Sequence, residues 1–333
     1  MNKKILFLSD DIRLHTGVSN ITKNIILNTC DKINWVQMSM GCTHSTPNII
    51  DVSESVRNIT GVTNCYVRLY ETCGYGDVVS LRNIIKQENP DAIIHMTDPH
   101  RWGWLYEIEH EIRETIPLMY YHVWDNHPVP KFLKNVYNSC DWVGCISKLT
   151  FDCVKNICPN HTYEYIPHGI SNKVFYKQDD ETRTQNRIGL LGSDYNFVLF
   201  FNNTNIPRKQ LLLTIESFAE FYRSLKTSHE QDGVVLLLHT DPLHKSGCGI
   251  NTLLDDLYDD VPILISGQLE SDDAVNNMYN LSHATINVAY NEGFGLTTLE
   301  SVNTETPVII SNTGGLRDQY NEDWCELVEP TTK

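Results

Sequence analysis

No apolar run in this 333-residue chain approaches the roughly 18 residues that a membrane-crossing helix needs, so no span is expected. The start, "MNKKILFLSDD", has two lysines and a five-residue apolar run, but no small-residue cleavage site follows. It predicts a buried first strand rather than a secretion leader. Positive charge is also scarce. With 26 basic against 42 acidic residues the net charge is −16, which excludes a broad electrostatic grip on nucleic acid but leaves room for a local basic pocket. The ten cysteines include no C-x2-C pair. Cys140, Cys145, Cys153, Cys158 and His161 lie close in sequence, yet four, seven, four and two residues separate them. Buried, reduced thiols in a cytosolic enzyme fit that spacing better than zinc, and no metal or cofactor is expected. A G-x-G-x-x-G fingerprint is missing. The two "SDD" strings, 9–11 and 271–273, read as a strand end and a helix cap rather than as metal motifs. Short-period repeats and low-complexity tracts are absent as well.

What the chain does have is alternation. Short apolar runs at 5–9, 65–70, 92–96, 117–123 and 142–146 are interleaved with amphipathic segments at 19–28, 76–87 and 104–115. Strands that are continuously apolar, each followed by a helix, predict a parallel sheet covered on both faces. From 169 to 196 the chain turns polar, the best candidate for an interdomain connection. Alternation then restarts, with strands expected at 197–202, 234–239, 262–266, 284–289, 307–311 and 325–329 and a helix from about Lys209 to Ser224. The organisation expected is a first doubly wound α/β domain over 1–175, a linker region over 176–196 and a second over 197–333. Ligands would bind at the C-terminal strand edges, in a cleft between the two.

One stretch carries the most chemistry: "NEGFGLTTLE", Asn291 to Glu300, between two expected strands. Glycines there let the backbone turn sharply and let a ligand approach the main chain. The first amides of the following helix form a natural phosphate seat. Glu292 before the turn can accept from hydroxyls held over that seat, and Glu300 can reach a diol such as ribose. The plainer alternative is a tight turn between two surface charges. "FNNTNIPRKQ" adds Arg208 and Lys209 after the first strand of the second half, where cations oppose a helix dipole unless an anion is bound.

Together, the strand, "EGFGLTTLE" and "PVIISNTGGLRD" resemble the E-x7-E signature and the Gly-Gly turn of retaining nucleotide-sugar glycosyltransferases of family 4. The whole chain is also similar to glycosyltransferases encoded by tailed phages, cyanophages among them. "KKILFLSDDIRLHTGVS", "TDPHRWGWLYEIEHEIR", "MYYHVWDNHP" and "NNTNIPRKQ" carry that likeness. The resemblance implies the GT-B fold, two Rossmann-like domains facing across a cleft. It implies Glu292 on the donor sugar, Glu300 on the ribose, and Gly293, Phe294, Gly295, Leu296 and Thr297 around sugar and diphosphate. Arg208 and Lys209 would lie on the diphosphate, Gly267 and Leu269 near the base, and Gly17 of "LHTGVSNIT" beside the donor phosphate, with Ser19 as a cap of the helix that follows. Family members carry a further arginine where this chain has Asn203 or Thr204, and a second glycine where it has Thr16.

Asp125, in "YYHVWDNHP", matches the carboxylate of the family's His-Asp pair and joins Glu292, Lys209 and Arg208 as a catalytic candidate. His122, His127 and Asp98 are candidates for the acceptor side, with satisfied loop histidines as the alternative. His100 and Trp102 share the "TDPHRWGW" loop, where core packing competes with sugar stacking. The implied activity is metal-independent, retaining transfer of a hexosyl or pentosyl group from a nucleotide-diphosphate sugar, with no cofactor. The acceptor is a glycan, lipid, protein or modified DNA base. The location implied is cytoplasmic, that of the host if phage-encoded. An epimerase-like or non-catalytic nucleotide-sugar-binding protein on the same fold is the other reading. GT-B chains continue past the "CELVEP" strand with helices that cross back, so a missing crossover is expected here.

Overall fold

The architecture comes from a computed structural model and is described for residues 2–42, 48–227, 231–267 and 271–331. The chain divides into two compact units, one up to Gly169 and the other from Ile170. Each is a predominantly parallel sheet with helices in the crossovers.

The first unit has eight strands: β1 (Lys3–Asp10), β2 (Ile33–Cys42), β3 (Ile49–Asp51), β4 (Val67–Cys73), β5 (Ala92–Thr97), β6 (Leu118–His122), β7 (Trp142–Cys145) and β8 (Tyr163–Tyr165). Their order is β3-β4-β2-β1-β5-β6-β7-β8, with β3 alone antiparallel. The strand order therefore reverses between β1 and β5. β2 is not among the strands expected from the sequence. Its Gln37 and Ser39 interrupt the apolar run, yet both are fully buried. Gln37 Nε2 donates to Ser9 Oγ at 2.9 Å and to the Asp10 carbonyl at 2.6 Å, so β1 supplies the partners that a buried amide needs. The amphipathic stretch 104–115 is two short helices, Gly103–Glu107 and Glu109–Arg113, because Ile108 leaves helical geometry at φ −114°, ψ 10°.

The second unit has six parallel strands: β9 (Phe197–Asn202), β10 (Val234–His239), β11 (Ile263–Ile265), β12 (Ala284–Asn287), β13 (Val308–Ser311) and β14 (Cys325–Val328). Their order, β11-β10-β9-β12-β13-β14, reverses between β9 and β12. Val198, Phe200, Val235 and Leu237 pack one face of this sheet, while Leu199, Phe201, Leu236 and Leu238 pack the other. Both faces are apolar, as a parallel sheet sandwiched by helices requires.

The polar stretch expected to be a connection carries a helix instead, Asp180–Leu191, and belongs to the second unit. Its signals are local: Asp179 caps the start by accepting from Thr182 N at 2.9 Å, and Gly192 ends it at φ 79°. Arginines as well as Leu191 fasten it to the helix Asp272–Leu281. Arg187, buried, donates from Nε to the Leu281 carbonyl at 2.9 Å and pairs with Asp194 at 2.8 Å. Arg183 Nε donates to the Asn280 carbonyl at 2.6 Å, and Gln178 N donates to Asn280 Oδ1 at 2.8 Å. Low apolar content hid the helix, because its packing is charged at the donor side and carbonyl at the acceptor side. Among the described residues no helix is long and apolar enough to cross a membrane.

Replacing Arg187 with Ala leaves the C-terminal carbonyl of the neighbouring helix unpaired, and should cost about 2 kcal/mol in chemical denaturation. Faster proteolysis within 180–191 should accompany it.

Candidate functional site

The reversal between β9 and β12 is where an open α/β sheet leaves a crevice at its carboxyl edge. Both flanks of that crevice carry charge. Arg208 and Lys209 lie in the 3-10 turn Pro207–Lys209 after β9, not yet in the helix Leu211–Ser224, and Glu292 lies in the loop after β12. Tyr290 N donates to the Arg208 carbonyl at 2.8 Å, which zips the two loops together. Arg208 Nη1 then donates to the Asn291 carbonyl at 2.8 Å and reaches Glu292 Oε2 at 3.3 Å. Lys209 Nζ donates to the same Oε2. Glu292 and Lys209 are both nearly buried. Burial by itself raises the Glu292 pKa, but the two cations outweigh it and hold the carboxyl below its ordinary range.

The opposite wall of the loop is built by glycine. Gly314, at φ 47°, and Gly315 follow β13, and Gly315 N donates to the Glu292 carbonyl at 2.8 Å. A Cβ on Gly314 would lie 2.1 Å from the Glu292 carbonyl oxygen, and one on Gly315 2.2 Å from that of Gly293. No side chain fits at either position. Ser311 Oγ and Thr313 Oγ1 both donate to the Ala289 carbonyl, at 2.7 and 3.1 Å. Gln319 Nε2 donates to the carbonyls of Phe294 and Gly295. Phe294 itself is buried. The Glu292–Gly295 backbone is thus gripped from β9 and β13 before any ligand arrives.

Gly295, at φ 92°, starts the helix Leu296–Asn303. Thr297 and Thr298 hydroxyls accept from Asn287 Nδ2 at 3.2 and 3.3 Å. Glu300, half-buried on this helix, accepts from the Tyr279 hydroxyl at 2.7 Å. Burial pushes its carboxyl up to about 7, against the pull of that hydrogen bond and with a smaller push from Asp272. Gly267 follows β11 at φ 67°, with open space where a Cβ would point. Leu269 lies outside the described residues.

In the first unit the candidates lie along the same carboxyl edge of adjacent strands. Gly17 opens the helix Gly17–Thr29, Asp98 follows β5 and Asp125 follows β6. Ser19 is not the cap. Thr16 is, accepting from Ser19 N at 3.0 Å, while Ser19 Oγ donates to the carbonyls of Asp11 and Leu14, each at 2.7 Å. His127 is exposed. His122 is the clear correction. It is fully buried between Tyr120 and Tyr137, neither ring nitrogen has a hydrogen-bond partner among the described residues, and burial lowers its pKa to about 3. A histidine so placed cannot touch an acceptor. Trp102 is likewise core, its ring tilted against His95 at 5.1 Å between centroids. Of the cysteine cluster, Cys140, Cys145, Cys153 and Cys158 are buried in one apolar core, and His161 bonds the Cys140 and Thr162 carbonyls. Among the described residues no group of three or more His, Cys, Asp or Glu is placed to hold a metal.

Several residues at these edges were not singled out by sequence. Asp10, at the end of β1, is buried and accepts from Thr16 Oγ1 at 2.7 Å. Burial raises its pKa, Thr16 and Arg101 lower it, and Asp98 raises it, so Asp10, Asp98 and Arg101 form one electrostatic group at the β1/β5 reversal. Thr97, which ends β5 before Asp98, has φ 105°, a conformation costing a β-branched residue about 1–3 kcal/mol. Asn202 and Tyr279 in the second unit are the other two.

The family described as glycosyl transferases group 1 matches residues 262–332, the segment that carries Glu292 and Glu300. No curated protein matches the chain in sequence. The solved structure of HepE from Anabaena in complex with UDP and glucose aligns with a TM-score of 0.71 at 14% identity, over 99% of this chain and 86% of that one. Sucrose-phosphate synthase from Thermosynechococcus elongatus aligns with 0.75 at 16%, over 99% and 86%. A trehalose 6-phosphate synthase from Burkholderia multivorans gives 0.68 at 11%, over 98% and 87%. What these proteins share with this chain is the fold: two Rossmann-like doubly wound units in one polypeptide, the GT-B class.

Gly315→Ala should cost about 3 kcal/mol through overpacking against Gly293, read as a lowered Tm with the fold retained in circular dichroism. Lys209→Met should also destabilise, by about 2 kcal/mol near neutral pH, since it leaves the nearly buried Glu292 carboxylate with Arg208 alone at 3.3 Å. Glu292 has a folded pKa below its unfolded 4.5, so its contribution is present above about 4.5 and is lost as pH falls through the lower folded value. Wild-type and Lys209→Met stabilities should therefore converge in acid.

Proposed function

We propose that the protein is a retaining, metal-independent glycosyltransferase that moves a sugar from a nucleotide-diphosphate donor to an acceptor. The observation that carries this reading is the pair of cations, Arg208 and Lys209, converging on the ionised Glu292 at the β9/β12 reversal. A carboxylate held ionised accepts hydroxyl hydrogens, and adjacent cations stabilise a diphosphate, so sugar and leaving group are bound side by side. The family matched over 262–332 and the UDP and glucose named for the Anabaena relative support the same donor class.

In the proposed reaction the bond from the anomeric carbon to the diphosphate oxygen breaks, and the electron pair leaves on that oxygen. Lys209, Arg208 and the amides opening the helix Leu296–Asn303 stabilise the developing charge. Glu292 holds the sugar hydroxyls, with Gly293, Phe294, Gly295, Leu296 and Thr297 lining the diphosphate. The acceptor oxygen bonds the anomeric carbon from the face the diphosphate leaves, and its proton passes to the departing oxygen, which retains configuration. Glu300 accepts from the ribose, while Gly267 lies by the base.

UDP-, GDP- and ADP-sugars, screened by thermal shift and then by turnover with and without EDTA, test this reading. Glu292→Gln and Lys209→Ala should each lower kcat by roughly 10²- to 10³-fold. Product NMR should show the donor's anomeric configuration, and EDTA should leave the rate unchanged. Wild-type turnover in either variant would overturn the proposal.

A further inference from the structure

Glu300 does not stand alone at its site. Tyr279, on the helix Asp272–Leu281, is 1% exposed, and its ring packs edge-on to Phe175 and Phe200. Its hydroxyl receives a hydrogen bond from Asn202 Nδ2 at 2.9 Å and gives one to Glu300 Oε2 at 2.7 Å. Asn202 is the last residue of β9, the strand that leads to Arg208 and Lys209. A phenol has one proton, so with the amide donating from behind, that proton is committed to the carboxylate. One oxygen of Glu300 is thereby occupied and the ring of Tyr279, locked by packing, fixes the plane in which the other is presented.

We infer that Asn202 and Tyr279 are positioning residues that orient Glu300 toward a vicinal diol and make donor binding depend on its ionisation, an inference that rests on the donor reading proposed above. Two hydroxyls of a diol both donate, and only the carboxylate can accept from both; the protonated acid offers a hydrogen where an acceptor is needed. The environment places that choice near neutrality, since burial pushes Glu300 up to about 7. Glu300 is the only charged residue on its own helix. The helix Asp272–Leu281 brings Asp272, Asp273 and Tyr279, and the turn Gly314–Gln319 brings Arg317 and Asp318. Arg317 Nε is bound to Asn312 Oδ1 at 2.6 Å, and the groups that act on Glu300 are Tyr279, which favours the charged form, and Asp272, which opposes it.

UDP-glucose is a suitable probe because its diphosphate diester does not titrate in this range; GDP- and ADP-glucose are run in parallel. Affinity measured by calorimetry from pH 5.5 to 9 should weaken as pH falls through about 7, approaching tenfold per pH unit below it, and level off above pH 8. Tyr279→Phe should move that midpoint upward, weakening binding at pH 7 about three- to tenfold while binding at pH 9 stays within about threefold of wild type. Asp272→Asn, an exposed position, should move the midpoint down. UDP-glucose lacking both ribose hydroxyls should bind without this dependence. A merely structural tyrosine would weaken binding equally at every pH, and that result, or an unmoved midpoint, overturns the inference while the donor reading stands. If wild type binds none of the three sugar nucleotides at any pH, the donor reading fails and the inference with it.

Discussion

A carboxylate that is nearly buried must find cations or lose its charge, and the second unit is arranged around that requirement. Glu292 is kept ionised by Lys209 and Arg208, which come from the other side of the strand-order reversal. Neither flank supplies this alone: the β9 loop holds two cations without an anion, and the β12 loop holds an anion without a cation. The sheet topology that puts β9 beside β12 is thus what makes the charge tolerable.

Rigidity of the loop follows from a second constraint, close backbone approach. Gly314 and Gly315 sit so near the Glu292 and Gly293 carbonyls that only hydrogen fits in place of a side chain. That contact lets Gly315 N satisfy the Glu292 carbonyl directly, while Ser311, Thr313 and Gln319 satisfy the carbonyls on either side. With the carbonyls of Ala289, Asn291, Glu292, Phe294 and Gly295 all bonded, the loop that carries the acidic side chain is held in place. Pre-organisation of this sort is what transition-state stabilisation by fixed dipoles needs. In the first unit a comparable tension is stored in Thr97, whose strained backbone sets Asp98 beside Asp10 and Arg101.

Much of this was legible in the sequence where signals were local. The glycine turn bracketed by Glu292 and Glu300, the Arg208–Lys209 pair after a strand, and the two runs of apolar strands all follow from short windows. What was hidden was long-range or polar. β2 escaped because Gln37 and Ser39 look like surface residues until Ser9 and the Asp10 carbonyl are known to lie against them. The helix Asp180–Leu191 escaped because arginines fasten it, although Asp179 and Gly192 mark both ends. His122 misled for the opposite reason: it ends the expected strand 117–123 beside a polar "WDNHP" string, but strand pleat turns it into the aromatic core beside Tyr120 and Tyr137. Tyr279 could not be read at all, since its partners lie 77 residues before it and 21 after.

The two glutamates that define the motif differ most in how they are charged, and that difference follows from which wall each one meets. Glu292 meets cations and is held below the ordinary carboxylate range; Glu300 meets apolar surface and a phenol, and is raised to about 7. Residues of one type with environments that push their acidities apart are suited to separate tasks. A group held ionised near neutral pH by cations suits a centre where charge separates during transfer. A group balanced near neutrality suits a recognition task, where ionisation alters affinity without altering the chemical step. Eight positions of sequence, one glycine turn and one helical turn are enough to separate them, because the turn sends Glu292 toward β9 and the helix sends Glu300 toward Tyr279.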